Sequence, residues 1–244
     1  MRRFGLIGKT LKHSFSKDFF AKKFTDSHIS NCVYDAFELP SIAELPALIS
    51  THAGLEGLNV TIPYKEQVIP FLSRKNKIVA EIGACNCIKI VDGQLHGYNT
   101  DVVGFKNSLE PQLKPQHQKA LVLGTGGAAK AVHYALKELG IAYLSVSRRK
   151  EAGGLGYEDL NDKILEQYLL IINTTPLGMF PNTNEAPAIP YEWITPQHFL
   201  FDLIYNPAKT RFLELGEKKG AQIANGYEML VLQAEESWRI WNTD

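Results

Sequence analysis

Short apolar runs alternate with stretches of helical period along this chain. Residues 4–8, 33–39 and 57–62 are brief, apolar and bounded by turn residues, which predicts strands. Between and after them lie helical patterns. Ser16 opens one that runs through Phe24, as a capping residue. Ser41 opens another over 41–50, with Glu44 three residues on as a capping box. Pro63 falls in the first turn of a third, which continues to Leu72. Residues 78–82 form a short helical piece. Residues 85–91 and 94–98 pair across Asp92-Gly93, a strong hairpin signal. Residues 101–113 read as a helix, with either Thr100 or Asp101 as its cap, and Pro111 and Pro115 then interrupt the chain.

The second half repeats the alternation more regularly. Strands are predicted over 120–123, 141–146, 168–173, 199–204 and 221–224. Helices are predicted over 128–139, over 211–219 before Gly220, and over 227–241. Residues 178–196 carry four prolines and read as an irregular loop at the strand ends, where α/β proteins place ligands. The fold class is therefore α/β with mainly parallel sheets.

One stretch carries specific chemistry. The apolar run 120–123 ends in Gly124-Thr125-Gly126-Gly127-Ala128-Ala129 and passes into a helix. Strand, glycine turn and helix make the context of a dinucleotide fingerprint. Gly124 permits the tight turn, Gly126 lets backbone approach a pyrophosphate, and Ala129 lets helix and strand pack closely. The helix start then turns its free N–H groups toward an anion. By itself this spacing serves equally as a tight turn. The next strand, however, ends in Ser147-Arg148-Arg149-Lys150, where a dinucleotide fold meets the adenosine ribose. An acid there would suit a 2′-hydroxyl; arginines suit a 2′-phosphate, so the pattern favours NADP over NAD.

Composition narrows the classes. A chain of 244 residues with 45% hydrophobic content supports one large domain or two modest ones. Twenty-six basic residues balance 26 acidic ones, so no net field draws nucleic acid or an anionic membrane. No apolar run reaches the ~20 residues that span a bilayer, and the apolar patch after Met1 is too short for a signal peptide. Three cysteines, Cys32, Cys85 and Cys87, give no disulfide framework and fit a reducing cytoplasm. Cys85 and Cys87, two apart in a predicted strand, are expected on one face as buried thiols, with no metal site.

The first half holds the remaining polar candidates. Ser14 and Ser16 stand two apart in an expected extended loop, so both hydroxyls would face one way. They suit a carboxylate or polyol, or one of them caps a helix. Thr61 closes a strand, and Lys65 sits in the first turn of the next helix, a position the macrodipole disfavours for a cation. Lys65 is either a solvated lysine or a proton donor. Asn86 and Asp101 complete the set. Asp101 is either a helix cap or the partner of Lys65 in moving a proton to and from a substrate oxygen.

These residues lie in blocks that resemble the shikimate dehydrogenase family. The blocks are His13-Ser-Phe-Ser16, Asn59-Val-Thr-Ile-Pro-Tyr-Lys65, Gly83-Ala-Cys-Asn86, Gly97-Tyr-Asn-Thr-Asp101 with Gly104, and Gly124-Thr-Gly-Gly-Ala-Ala129. Asn173-Thr-Thr-Pro-Leu-Gly-Met179, Asp202-Leu-Ile-Tyr-Asn-Pro207 with Thr210, and Gly226-Tyr-Glu-Met-Leu-Val-Leu-Gln233 complete the eight, in order and almost end to end. The resemblance implies NADP-dependent, reversible reduction of 3-dehydroshikimate to shikimate. It implies Ser14 and Ser16 on the substrate carboxylate, and Thr61, Asn86, Tyr205 and Gln233 on its hydroxyls or carboxylate. Lys65 and Asp101 would be the catalytic pair. Gly124, Thr125, Gly126, Gly127, Ala128, Ser147, Arg148, Arg149, Thr174, Leu203 and Gly226 would line the cofactor.

It further implies two domains with a cleft between them. Residues 1–103 with 226–244 would form an α/β substrate domain with a mixed sheet, and 104–225 a Rossmann-type NADP domain with a parallel sheet. The partner is a small-molecule substrate, for a monomer or homodimer. Departures from the family pattern are Lys17 after Ser16, Cys87 after Asn86, and Ser147-Arg148-Arg149 at the basic turn, with no second arginine a few residues further on. Two other readings remain: a quinate or shikimate dehydrogenase with looser NAD/NADP use, and a non-catalytic module that binds NADP or shikimate. The intact Lys65 and Asp101 speak against the last.

Overall fold

The computed structural model of the protein describes residues 1–11, 15–150 and 153–243. By compactness the chain divides into one unit of Met1–Thr100 with Gln233–Asp244 and a second of Asp101–Leu232.

In the first unit, β1 (Arg2–Gly8), α1 (Phe15–Asp26), β2 (Cys32–Glu38), α2 (Leu45–Thr51) and β3 (Leu55–Val60) build a parallel start, with β1 between β2 and β3. A one-turn helix α3 (Tyr64–Gln67), a two-residue β4 (Arg74–Lys75) and α4 (Lys77–Ile82) follow. The hairpin β5 (Cys87–Val91) and β6 (Gln94–Tyr98) then adds antiparallel to β3, giving a mixed six-stranded sheet in the order β2-β1-β3-β5-β6-β4. Asp92 and Gly93 both take positive φ, 49° and 74°, as the predicted tight hairpin turn requires.

Each face of this sheet has its own core. One gathers Ile7, Leu45, Leu58, Val68, Val79 and Ile88. The other gathers Phe4, Phe20, Tyr34 and Trp241, with Phe4 stacked on Trp241 at 4.8 Å and Phe20 on Tyr34 at 4.4 Å. Trp241 Nε1 donates to the Ile88 carbonyl at 2.9 Å, and a Cβ on Gly57 would overlap the indole. That glycine lets the last helix lie close to the sheet.

The helix α5 (Thr100–Leu109) leads into the second unit. There β7 (Lys119–Leu123), α6 (Gly127–Glu138), β8 (Ala142–Val146), α7 (Asp162–Gln167), β9 (Leu170–Asn173), β10 (Phe199–Asp202), α8 (Arg211–Glu217) and β11 (Gln222–Ala224) alternate. The final helix is α9 (Tyr227–Asn242). Five strands pair all-parallel in the order β11-β10-β9-β7-β8. β7, β9 and β10 are buried on both faces, which is why they read as unbroken apolar runs. The order reverses beside β7, the switch point at which such sheets bind ligands. Among the described residues, no helix is long and apolar enough to cross a membrane.

Several local expectations are corrected. The helix expected over 63–72 is the single turn α3 and a separate 3₁₀ turn, Ile69–Phe71, since Pro70 cannot continue it. Pro63 occupies the cap position rather than the first turn. The hydroxyl of Ser41 accepts from Ala43 and caps a 3₁₀ turn, not the expected α-helical box. Thr100 and Asp101 both lie inside α5, so neither is its N-cap. Cys85 and Cys87 are both buried but belong to opposite core layers. The strand begins only at Cys87, so the period of two does not reach back to Cys85. Helix α7 falls in a stretch where no element was expected.

Candidate active site

In the second unit the glycine stretch is built as its spacing predicts. β7 ends at Leu123, Gly124 turns with φ +108°, and Gly126 stands at the N-cap of α6. A Cβ on Gly124 would come within 2.7 Å of Thr174 Oγ1, so the site admits no side chain there. A Cβ on Gly126 would meet nothing within 4 Å, which leaves open space above the first turn of α6. No side chain caps that turn. Its leading N–H groups, from Gly127 and Ala128 onward, are left for an anion. Ala129 is fully buried at the helix–strand contact. This cradle fits a pyrophosphate.

The other residues expected to line the cofactor continue the row along the strand ends. Thr174 donates from its amide and its hydroxyl to the Leu123 carbonyl, at 3.0 and 2.7 Å. Leu203 N donates to the Asn173 carbonyl at 3.0 Å. Gly226 N donates to the Ile204 carbonyl at 3.0 Å, and a Cβ on Gly226 would overlap the Leu203 carbonyl. Gly124, Thr174, Leu203 and Gly226 thus follow β7, β9, β10 and β11 in spatial order. Ser147 closes the basic turn after β8, its hydroxyl donating to the Arg149 carbonyl at 2.5 Å. Arg148 and Arg149 are exposed, and among the described residues no ion pair engages either. Lys150 is paired with Asp159 at 2.9 Å. Of the three cations of this turn, only Lys150 is in an ion pair among the described residues.

One carboxylate organises these loops. Asp202 is fully buried at the end of β10. It accepts from Asn173 Nδ2 at 3.0 Å, Ile204 N at 3.0 Å and Thr210 Oγ1 at 2.5 Å. Asn173 Oδ1 in turn accepts from the amide and hydroxyl of Thr175, at 3.0 and 2.7 Å. Burial pushes the Asp202 carboxyl up to about 6, against the hydrogen bonds that favour its charge. The loops that carry Thr174, Leu203 and Tyr205 are therefore tied to one buried group. Tyr205 is half-buried, and burial raises its phenol.

The first unit arranges side chains rather than backbone. Ser14 lies outside the described residues. Ser16 is in the first turn of α1, not in an extended loop, and its hydroxyl bonds Tyr34. Tyr34 OH donates to Asn59 Oδ1 at 2.8 Å, and Asn59 Nδ2 donates to Ser237 Oγ at 2.8 Å. Ser237 Oγ donates to the Gln233 carbonyl at 2.9 Å and lies 3.2 Å from Thr100 Oγ1. Thr100 Oγ1 reaches Gln233 Oε1 at 3.4 Å. Asn86 Oδ1 accepts from Thr100 N at 2.6 Å, and its Nδ2 donates to Thr100 Oγ1 at 3.0 Å. Ser16, Asn86 and Gln233 are thus joined by one buried chain of polar groups. Asn86 clamps the start of α5, where Asp101, nearly fully buried, is the next residue.

Thr61 follows β3, its amide donating to Ile7 and its carbonyl accepting from Tyr64. Tyr64 is buried and donates to the Leu39 carbonyl at 2.5 Å. Lys65 comes next, in the single turn α3, and its carbonyl accepts from Cys85 N at 2.8 Å. The backbone of Lys65 is therefore fixed on both sides, while its side chain is half-buried. Among the described residues, no cluster of three His, Cys, Asp or Glu could hold a metal ion.

The sequence reading missed Tyr34 and Ser237, and gave Asn59, Thr100, Asn173, Asp202 and Thr210 no site role. A signal existed for two of them. Tyr34 shares strand parity with the buried Cys32, and Ser237 lies four residues from Gln233 on α9. Polar groups at core positions need partners, and these found one another.

Residues 6–88 match the family model described as the shikimate dehydrogenase substrate binding domain. A protein of Caldicellulosiruptor bescii named shikimate dehydrogenase (NADP(+)) is 38% identical over 99% of this chain and 89% of its own length. The crystal structure of shikimate 5-dehydrogenase from Thermus thermophilus with NADP(H) and shikimate superposes with a TM-score of 0.88 at 29% identity, over 99% of this chain and 94% of that one. Quinate dehydrogenase from Corynebacterium glutamicum, in complex with NAD, gives a TM-score of 0.87 at 25% identity, over 99% and 93%. Full-length identity to such relatives, together with a parallel sheet whose strand ends carry the nucleotide cradle, establishes that the chain belongs to the shikimate dehydrogenase family.

Proposed function

We propose that this chain is an NADP-dependent oxidoreductase that reversibly reduces 3-dehydroshikimate to shikimate, a step of the shikimate pathway. The observation that carries this reading is the full-length likeness to relatives named for that activity, on a fold with a built pyrophosphate cradle. Residues 1–103 with 226–244 bind the substrate and 104–225 bind the cofactor. The compact units, which change at Thr100 and Leu232, support that division.

NADPH, when bound, supplies the hydride. Gly124, Thr125, Gly126, Gly127 and Ala128 hold its pyrophosphate on backbone N–H groups. Ser147, Arg148 and Arg149 hold the 2′-phosphate, and Thr174, Leu203 and Gly226 line the remainder. Lys65 acts on the substrate: its ammonium stabilises the charge that develops on the carbonyl oxygen and donates the proton. In the reverse direction it takes the proton back. Asp101 orients Lys65 and accepts from a substrate hydroxyl. Ser14 and Ser16 hold the carboxylate. Thr61, Asn86, Tyr205 and Gln233 contact the ring substituents. Asn86 has one N–H beyond the bond it gives Thr100. Three free thiols suit a cytoplasmic setting, and the enzyme acts as a monomer or homodimer.

The test is an oxidative assay that offers shikimate and quinate, each with NADP and with NAD. Turnover with shikimate and NADP alone is the expected result. Equal rates with quinate or NAD would move the chain to a quinate or shikimate dehydrogenase of looser cofactor use. Silence in all four, with folded protein that binds NADP, would leave only a binding module.

A further inference from the structure

A second charged site uses none of the residues assigned above. β4, β5 and β6 place Arg74, His96 and Lys89 in one cross-strand row: Arg74 pairs with His96, and His96 with Lys89. Residues paired in this way stand on the same face of the sheet. Arg74 and Lys89 thus flank His96 on either side, two cations set about one imidazole. Arg74, Lys89, His96 and Tyr98 line a pocket of about 540 Å³, together with Arg239 from α9 and Thr243 just after it. No carboxylate is among the lining residues.

The cations are unequally engaged. Arg239 is held bidentate by Glu236, at 2.7 Å on both bonds, and Lys89 Nζ donates to the Thr243 carbonyl. Among the described residues, the Arg74 side chain has no hydrogen bond or ion pair. His96 Nε2 is buried and has no hydrogen-bond partner. Burial first, then the charges of Arg74 and Lys89, hold its imidazole below the usual range. A buried ring nitrogen without a partner, beside a free guanidinium and an ammonium, lacks one thing: an acceptor with negative charge.

We propose that this pocket binds a compact polyvalent anion of the phosphate class. Arg74 and Lys89 supply the charge, and His96, protonated on binding, supplies a further donor from Nε2. Binding offsets the two cations that flank His96 and gives the orphaned nitrogen a partner.

The experiment follows the His96 ring resonance of the full chain by NMR, assigned by its loss in His96→Gln. Inorganic phosphate and pyrophosphate are titrated against sodium chloride at equal ionic strength. The expected result is a saturable shift and a rise in the His96 titration midpoint of about one pH unit, as an anion brought within contact distance produces. The double variant Arg74→Gln, Lys89→Gln should abolish both effects. Arg74→Gln alone, at an exposed position of a two-residue strand, should weaken them and serves if the double variant does not fold. A shift no larger than chloride produces, one that persists in the double variant, or one undiminished in Arg74→Gln overturns the proposal. Binding at the Gly124 turn or Arg148 would survive the double variant, so the two sites are told apart.

Discussion

The two units present their functional groups in different ways. In the 101–232 unit the groups proposed to meet the cofactor are backbone amides at the start of α6 and two exposed arginines. In the 1–100 unit the corresponding groups are side chains, and three of them hang on a buried chain of hydroxyls and amides that runs from Ser16 to Gln233. Backbone amides need only a glycine turn to be placed. Side chains need neighbours, some of them remote in sequence: Asn59 meets Ser237 across 178 positions. The first arrangement is sensitive at its glycines, Gly124 and Gly226 above all. The second is sensitive at every side chain in it, because each member satisfies the next.

That contrast can be broken at several points. The largest expected effect is on turnover. Lys65→Ala should lower kcat by at least ~10²-fold, the range for a lost general acid. Near-normal steady-state rates would remove Lys65 from the chemistry. Next comes Asp202→Ala, which strands three donors in a buried loop junction and should cost about 3 kcal/mol of stability by urea unfolding. A loss within error of zero would show the junction to be dispensable.

Asp202 also gives a pH test of similar size. Its folded value of about 6 lies above the unfolded value of 3.8, so the folded chain holds this proton more tightly. The stability it contributes is fully present below pH ~4 and is lost as pH rises through ~6, by about 3 kcal/mol at most. Asp202→Asn should flatten that slope in unfolding curves taken across the window. An unchanged slope would assign the pH dependence to other groups.

Smaller effects separate the units. Tyr34→Phe removes the link between Ser16 and Asn59 and should cost roughly 1–2 kcal/mol. It should raise KM for shikimate and leave that for NADP unchanged; a change in the NADP constant alone would cut the network off from the substrate. Arg148→Ala should raise KM for NADPH by roughly tenfold, the worth of one charge-assisted bond, with little change for NADH. Equal changes for both cofactors would place the 2′-phosphate elsewhere.

The nucleotide half was readable because its rules are local. Gly124, Gly126 and Ala129 have roles fixed by φ, open space and close packing, and each is met within a few residues of chain. Its mainly parallel sheet followed from the alternation of strands and helices, though the strand order did not. The first half was readable as a fold, including the Asp92-Gly93 turn, but less so as a site. The resemblance, not the spacing, assigned roles to Asn86 and Gln233. The partners that hold them, Thr100 and Ser237, come together only through tertiary packing. The displaced Cys85 shows the same limit: a period of two holds only inside a strand, and where the strand begins is set by its pairing with β3.

The account rests on a division of labour, with Lys65 serving chemistry and the glycine turn and arginines of the 101–232 unit serving the cofactor. Calorimetric titration of NADP into Lys65→Ala tests it most directly. The account predicts an affinity within about twofold of the unchanged protein, since no cofactor contact is removed. A fall in affinity in step with the fall in turnover would contradict it and make Lys65 part of the cofactor site.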